Sequence, residues 1–230
     1  MQLHKVLKQY WGFDTFRPLQ HEIASNVVNG HDTLGLMPTG GGKSIVFQVA
    51  GLVRGGLTVV VTPLISLMKD QVDNLRRVNI PAVYFHSGMS IAETRKGWEN
   101  LTNNKARFLY TSPERLRSER FVSELRALNV TLIVVDEAHC ISQWGYDFRP
   151  SFMQIANLRK VLPGVPVLAL TATATPEVAE DIRRRLAFTQ GHHTFQMSFV
   201  RNNIGYLVKE SSSKMYDIGN ILMRTEGCAI

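Results

Sequence analysis

Short runs of β-branched and aliphatic residues alternate along the chain with longer segments whose apolar residues recur at helical spacing. This pattern predicts an α/β fold with a parallel sheet covered by helices. The expected strands are residues 32–37, 57–62, 82–86, 106–111, 132–136 and 165–170. Leu132-Ile133-Val134-Val135 contains no polar residue, so that strand should be central and covered on both faces. Helices are expected over 64–78, 91–102 and 114–128. Thr62-Pro63 and Ser112-Pro113 open two of them, and Ser90 with Glu93 has the spacing of a capping box before the third.

The pattern changes near the C-terminus. Residues 192–198 and 203–208 read as extended, residues 210–213 form a polar, serine-rich break, and a helix is expected from about 214 to 223. Gly227-Cys228-Ala229-Ile230 begins another apolar run, which is expected to continue as a strand. The corresponding domain expectation is one large domain over 1–208, with 209–230 as a linker and the start of a second domain.

Composition adds modest limits. At 44% hydrophobic and 20% charged, the 230 residues suffice for a sizeable core. No apolar run approaches the length of a membrane span, and the N-terminus has no signal-peptide apolar stretch, so no membrane association is expected. Cys140 and Cys228 have neither metal-ligand nor disulfide-framework spacing, which suits an intracellular, reducing location. A net charge of +7 leans towards a polyanionic partner.

Two half-sites carry the chemistry. The first expected strand runs into Pro38-Thr39-Gly40-Gly41-Gly42-Lys43-Ser44, followed by an amphipathic helix over 45–53. Glycines let backbone N–H groups turn towards phosphate oxygens where a Cβ would obstruct them. Lys43 supplies a point charge for terminal phosphates, Ser44 an oxygen for Mg2+, and the helix N-terminus a positive dipole end. Met37 stands where a strict phosphate-loop pattern has its first glycine. The second half-site is Asp136-Glu137-Ala138-His139 at the end of the most apolar strand. Asp136 can hold Mg2+, Glu137 can orient and deprotonate an attacking water, and His139 can bond to a neighbouring segment.

With these blocks in order, the sequence resembles the superfamily 2 helicases, and the RecQ family in particular, over about residues 3–208. The family's phosphate loop includes the methionine found at Met37. Phe13, Arg17 and Gln20, within Trp11-Gly12-Phe13-Asp14-Thr15-Phe16-Arg17-Pro18-Leu19-Gln20, resemble its adenine-recognition segment. A glutamine amide can both donate to and accept from adenine's edge, and Phe13 and Arg17 offer stacking surfaces. Thr62-Pro63-Leu64-Ile65-Ser66-Leu67-Met68-Lys69-Asp70-Gln71 and Tyr110-Thr111-Ser112-Pro113-Glu114-Arg115 resemble two DNA-backbone motifs, with Ser66, Lys69 and Ser112 as contacts. Leu170-Thr171-Ala172-Thr173-Ala174 resembles the motif that links hydrolysis to DNA movement.

Ser142-Gln143-Trp144-Gly145-Tyr146-Asp147-Phe148-Arg149-Pro150 resembles the aromatic-rich loop of RecQ helicases, with Tyr146 where that family often has histidine. Trp144 and Phe148 can stack on unpaired bases, and Arg149 can bind phosphate. The resemblance implies a RecA-like domain that binds ATP and Mg2+ and contacts single-stranded and forked DNA. It also implies 3′-to-5′ unwinding in an enzyme that includes a second RecA-like domain, and weak hydrolysis by this chain alone. Another superfamily 2 motor, such as an RNA helicase or a chromatin remodeller, and a non-catalytic DNA-binding module are the alternatives.

Overall fold

The computed structural model describes residues 2–103, 105–145, 147–198, 205, 208 and 210–224. Tyr146, Cys228, the run 227–230 and most of the expected strand 203–208 lie outside the described residues. The chain divides into two compact units, Met1–Phe199 and Val200–Ile230. The first holds a seven-stranded sheet: β1 Thr33–Leu36, β2 Leu57–Val61, β3 Ala82–Phe85, β4 Phe108–Thr111, β5 Val130–Val135, β6 Val167–Thr171 and β7 His193–Gln196. Every pairing is parallel, in the order β3-β4-β2-β5-β6-β1-β7. All six strands expected with the large domain are present, with ends that differ from expectation by at most two residues, and the extended run at 192–198 contains β7.

The period-two geometry of a strand divides each sequence between two faces. In β5, Leu132 and Val134 join one apolar layer, while Ile133 and Val135 join the other. The first layer is closed by α1 Gln2–Trp11, α2 Gln20–Val28, α3 Lys43–Arg54 and α4 Ile65–Arg77, through residues such as Leu7, Ile23, Val46 and Met68. The second receives α5 Ile91–Thr102, α6 Glu119–Leu125, α7 Ile155–Val161 and α8 Pro176–Arg185, through Leu101, Phe121, Leu158 and Ile182. Double coverage explains why the strands read as continuous apolar runs.

The expected helix over 114–128 is interrupted. Residues Pro113–Arg117 form a 3-10 helix, Ser118 turns extended, and its hydroxyl accepts from Phe121 N at 3.3 Å to cap α6 afresh. A serine able to satisfy an orphan amide competes with helix continuation. The capping box at Ser90 and Glu93 forms as expected. In the second unit, α9 spans Lys214–Arg224.

One buried acid ties the base of the sheet together. Asp32, just before β1, is 2% exposed. Its Oδ1 accepts from Arg159 Nη1 and Val167 N, each at 2.8 Å. Its Oδ2 accepts from Thr189 N at 2.8 Å and Thr189 Oγ1 at 2.9 Å. Burial by itself would raise this carboxyl's pKa, but the bonds from Arg159, Thr189 and Val167 outweigh it and hold the group below its ordinary range. The depressed folded-state pKa makes this stabilisation complete above the unfolded value of about 4 and lost as pH falls through the folded value. Asp32→Ala, which leaves Arg159 without its buried partner, should lower unfolding free energy in urea by about 3–5 kcal/mol at pH 7. The loss should shrink below about pH 4.

Candidate nucleotide and nucleic-acid site

In a parallel sheet with short loops, the C-terminal strand ends lie along one edge, and the chemistry-bearing segments follow β1, β2, β4, β5 and β6 there. Hydrogen bonds continue one residue past the strands: Met37 N to Thr171 O at 3.0 Å, Asp136 N to Val61 O at 2.9 Å, and Thr62 N to Thr111 O at 3.1 Å. The first residues of each loop are thereby set by the rigid sheet.

After β1, Gly40 and Gly42 take left-handed conformations, φ 79° and 77°, which favour residues without a Cβ. Gly42 immediately precedes α3, and no described side chain caps that helix, so its first amides face the loop. Lys43 and Ser44 occupy the first turn. Thr39 lies between β1 and the glycines.

Gln20 is buried at the start of α2, and both hydrogens of its amide are engaged by this loop. Nε2 donates to Gly41 O at 3.2 Å and Gly42 O at 3.1 Å, while Oε1 accepts from Arg17 N at 2.9 Å. Arg17 Nη1 donates to Gly40 O at 2.8 Å. The structure thus joins Arg17 and Gln20 to the phosphate loop itself, a connection that sequence spacing did not reveal. Phe13 is 52% exposed on the connection between α1 and α2.

At the end of β5, Glu137 adopts φ 50°, ψ 47°, a left-handed conformation costly for a residue with a Cβ. Its Oε1 lies 3.9 Å from Lys43 Nζ, and its Oε2 lies 3.3 Å from His139 Nδ1. His139 Nδ1 is also 2.8 Å from Thr171 Oγ1. The Glu137 carboxylate therefore faces Lys43 and His139, and His139 in turn meets Thr171 of β6. Burial pushes the Asp136 carboxyl up to about 6, with the neighbouring Glu137 charge adding to the rise and Lys43 opposing it. Burial lowers the His139 pKa, although Glu137 and Asp147 pull the other way, so the ring is neutral at neutral pH.

The remaining candidates lie along the β2–β4 part of the same edge and in the loop after β5. Ser66 and Lys69 are exposed in the first half of α4, and Ser112 is buried directly after β4. Trp144 is 75% exposed and Phe148 half-buried. Arg149 is held in place: Nη2 and Nε donate to Asp147 Oδ2 and Oδ1 at 3.0 and 3.4 Å, and Nη1 approaches Pro63 O at 3.5 Å. Contact with a phosphate would therefore require exchange of these bonds. Sequence reasoning missed that the loop's far end is also tied down, by Ser151 Oγ donating to Glu114 Oε1 at 2.8 Å.

A model of the DEAD/DEAH box helicase family matches residues 17–182. The chain belongs to that family. Among relatives, the ATP-dependent DNA helicase RecQ of Haemophilus influenzae is 39% identical over 222 residues, covering 96% of this chain and 36% of the relative. The ATP-dependent DNA helicase RecQ of Bacillus subtilis is 44% identical over 211 residues, covering 91% and 36%. The ATP-dependent DNA helicase Q5 of Mus musculus is 40% identical over 216 residues, covering 90% and 22%. The chain spans little more than a third of the two bacterial proteins' length. Family membership implies use of a nucleotide.

Two solved structures share the fold. The helicase domain of Pyrococcus furiosus Hef has a TM-score of 0.62 and 23% identity, covering 85% of this chain and 40% of that chain. The DEAD-box helicase Mss116 bound to ssRNA and UDP-BeF has a TM-score of 0.67 and 16% identity, covering 85% and 42%. The RecA-like α/β architecture expected from the resemblance is therefore the one observed. No helix among the described residues is long and apolar enough to cross a membrane.

The loop geometry also depends on a glycine. A Cβ on Gly145 would come within 2.7 Å of the His139 carbonyl oxygen, a backbone atom that cannot swing away. Gly145→Ala should therefore displace the loop and lower stability by about 1–3 kcal/mol, the range for a forced overpacking contact, as read by urea denaturation.

Proposed function

We propose that this chain is the ATP-binding motor domain of a RecQ-like DNA helicase, hydrolysing ATP to translocate 3′-to-5′ on single-stranded DNA. A second RecA-like domain is the partner needed to complete the ATP site and to unwind duplex or forked DNA. The observation that carries this reading is the convergence of Lys43, Glu137, His139 and Thr171 beside an uncapped helix N-terminus. The alternative of a non-catalytic DNA-binding module gives no reason to hold Glu137 in a strained conformation between a lysine and a neutral histidine.

The residues present fit Mg2+–ATP. Glycines in left-handed conformations and uncapped amides suit phosphate oxygens, and Lys43 adds a positive charge. Ser44 and Asp136 would hold the metal. Asp136 is a half-buried carboxylate beside a second carboxylate, an arrangement that suits a cation. Bound Mg2+ would neutralise charge on the terminal phosphates. Glu137 is the base that accepts a proton from the attacking water. Its Lys43 and His139 contacts orient the carboxylate, and Thr171 holds the His139 ring. On the neighbouring part of the edge, Ser66, Lys69 and Ser112 take the DNA backbone, while Trp144, Phe148 and Arg149 meet unpaired bases and phosphate.

In an enzyme carrying both motor domains, Glu137→Gln should leave ATP binding intact and reduce turnover by roughly 100-fold or more. Lys43→Ala should impair both. Normal hydrolysis by the Glu137→Gln enzyme would remove the water-activation role. Because Gln20 holds two carbonyls of the phosphate loop, Gln20→Ala should weaken ATP and GTP binding alike, by about 1–2 kcal/mol in a titration with fluorescent analogues. A loss confined to ATP would instead support direct reading of adenine by Gln20.

A further inference from the structure

Gln48 is a polar residue in a run of buried apolar ones. It sits on α3 between Phe47 and Val49, is 4% exposed, and has no part in the chemistry above. Its Nε2 donates twice, to Gln71 Oε1 at 3.0 Å and to Tyr110 Oη at 3.3 Å. Gln71 is half-buried on α4, and Tyr110 is fully buried on β4.

The three elements joined in this way are the ones that carry the two halves of the proposed site. Lys43 and Ser44 open α3, and Gln48 follows little more than one turn later. Ser66 and Lys69 precede Gln71 on α4, and Ser112 directly follows β4. One amide therefore links the helix of the phosphate loop to both elements with proposed DNA-backbone contacts. A methionine would fill similar space without burying an amide, which is tolerated only when it is hydrogen-bonded. The amide adds direction: its planar NH2 fixes how α3 is set against α4 and β4, and a stiff helix carries displacements of its first turn to that point. The link is also separate from the contacts of His139 with Glu137 and Thr171. Tyr110 belongs to the layer closed by α1 to α4, whereas Thr171 alternates with Ala169 onto the other face.

We propose that Gln48 is a positioning residue that couples the two halves of the site. Through Gln71 and Tyr110 it makes nucleotide binding at the phosphate loop and single-stranded DNA binding at α4 and β4 interdependent. This inference rests on the function proposed above. Such a coupling is reciprocal, so each ligand must change the affinity of the other by the same factor.

The test uses this 230-residue chain and a fluorescein-labelled oligothymidine of about 15 nucleotides. Anisotropy gives the oligothymidine affinity without nucleotide and with a saturating non-hydrolysable ATP analogue and Mg2+. In the wild-type chain the two affinities should differ by about fivefold or more, and the analogue's affinity should change equally when oligothymidine saturates. Gln48→Met keeps the bulk and removes the amide. It should bind each ligand alone within about twofold of wild type and lose most of the coupling factor. Gln71→Met should also lower the factor, and adding it to Gln48→Met should remove nothing further. Its half-exposed position keeps the test decisive if Gln48→Met fails to fold. Asp32→Asn, destabilised at the base of the sheet, should keep the factor. An unchanged factor in folded Gln48→Met or Gln71→Met, or an equal loss in Asp32→Asn, would overturn the role of Gln48. So would a wild-type chain that binds both ligands independently, a result that leaves the proposed function standing. A wild-type chain that fails to bind the analogue or the oligothymidine would remove that function and this inference together.

Discussion

Parallel pairing is the constraint from which the rest of this structure follows. Seven strands running in one direction send all their C-terminal ends to one edge, and each connection must return across a face. Residues 43, 66, 112, 137 and 171, far apart in sequence, become neighbours of a single rim because their strands are held in register. The pairings β1–β6 and β2–β5 run close to the proposed catalytic residues, with Gly35 opposite Leu170 and Val61 opposite Val135. A slip of one residue would exchange the two apolar faces and displace the rim groups together. Strong side-chain burial on both faces prevents that slip.

The rim uses this rigidity to maintain an unfavourable local arrangement. Asp136 and Glu137 are adjacent carboxylates, one pushed towards protonation by burial and the other attached to a left-handed backbone. Such a conformation persists when its surroundings over-determine it. Here Asp136 N is tied to β2, Glu137 N donates to Asp136 Oδ1 at 3.0 Å, and the Glu137 side chain lies between Lys43 and His139. The local cost is carried by the sheet, and the result is a carboxylate aimed at the phosphate loop.

The aromatic loop follows a different logic. It has little core of its own, and its order comes from polar attachments: Arg149 to Asp147 and Pro63, and Ser151 to Glu114. Each attachment leads to a different rim segment. In the proposed motor, a strand touching Trp144 would therefore meet a loop already connected to the segments after β2 and β4. Hydrogen bonds suit this role better than apolar packing because they can exchange partners without opening a cavity.

Much was legible in the sequence because it depends on local rules. Apolar runs marked the strands, glycines followed by Lys43-Ser44 marked the phosphate loop, and an apolar strand ending in Asp136-Glu137 marked the carboxylate pair. Even the broken helix had its signal in Ser118, a capping residue inside an apparently continuous pattern. Other features depended on which strands become neighbours. Asp32 looked like an ordinary strand start, yet it gathers Arg159, Val167 and Thr189. Gln20 resembled a base-reading residue, and the fold joins its amide to the phosphate loop as well. The sequence by itself determined the elements and the chemical groups, since periodicity, capping and glycine act over a few residues. Tertiary structure decided which groups meet, because hydrogen bonds between residues more than a hundred positions apart exist only after the strand order has been set.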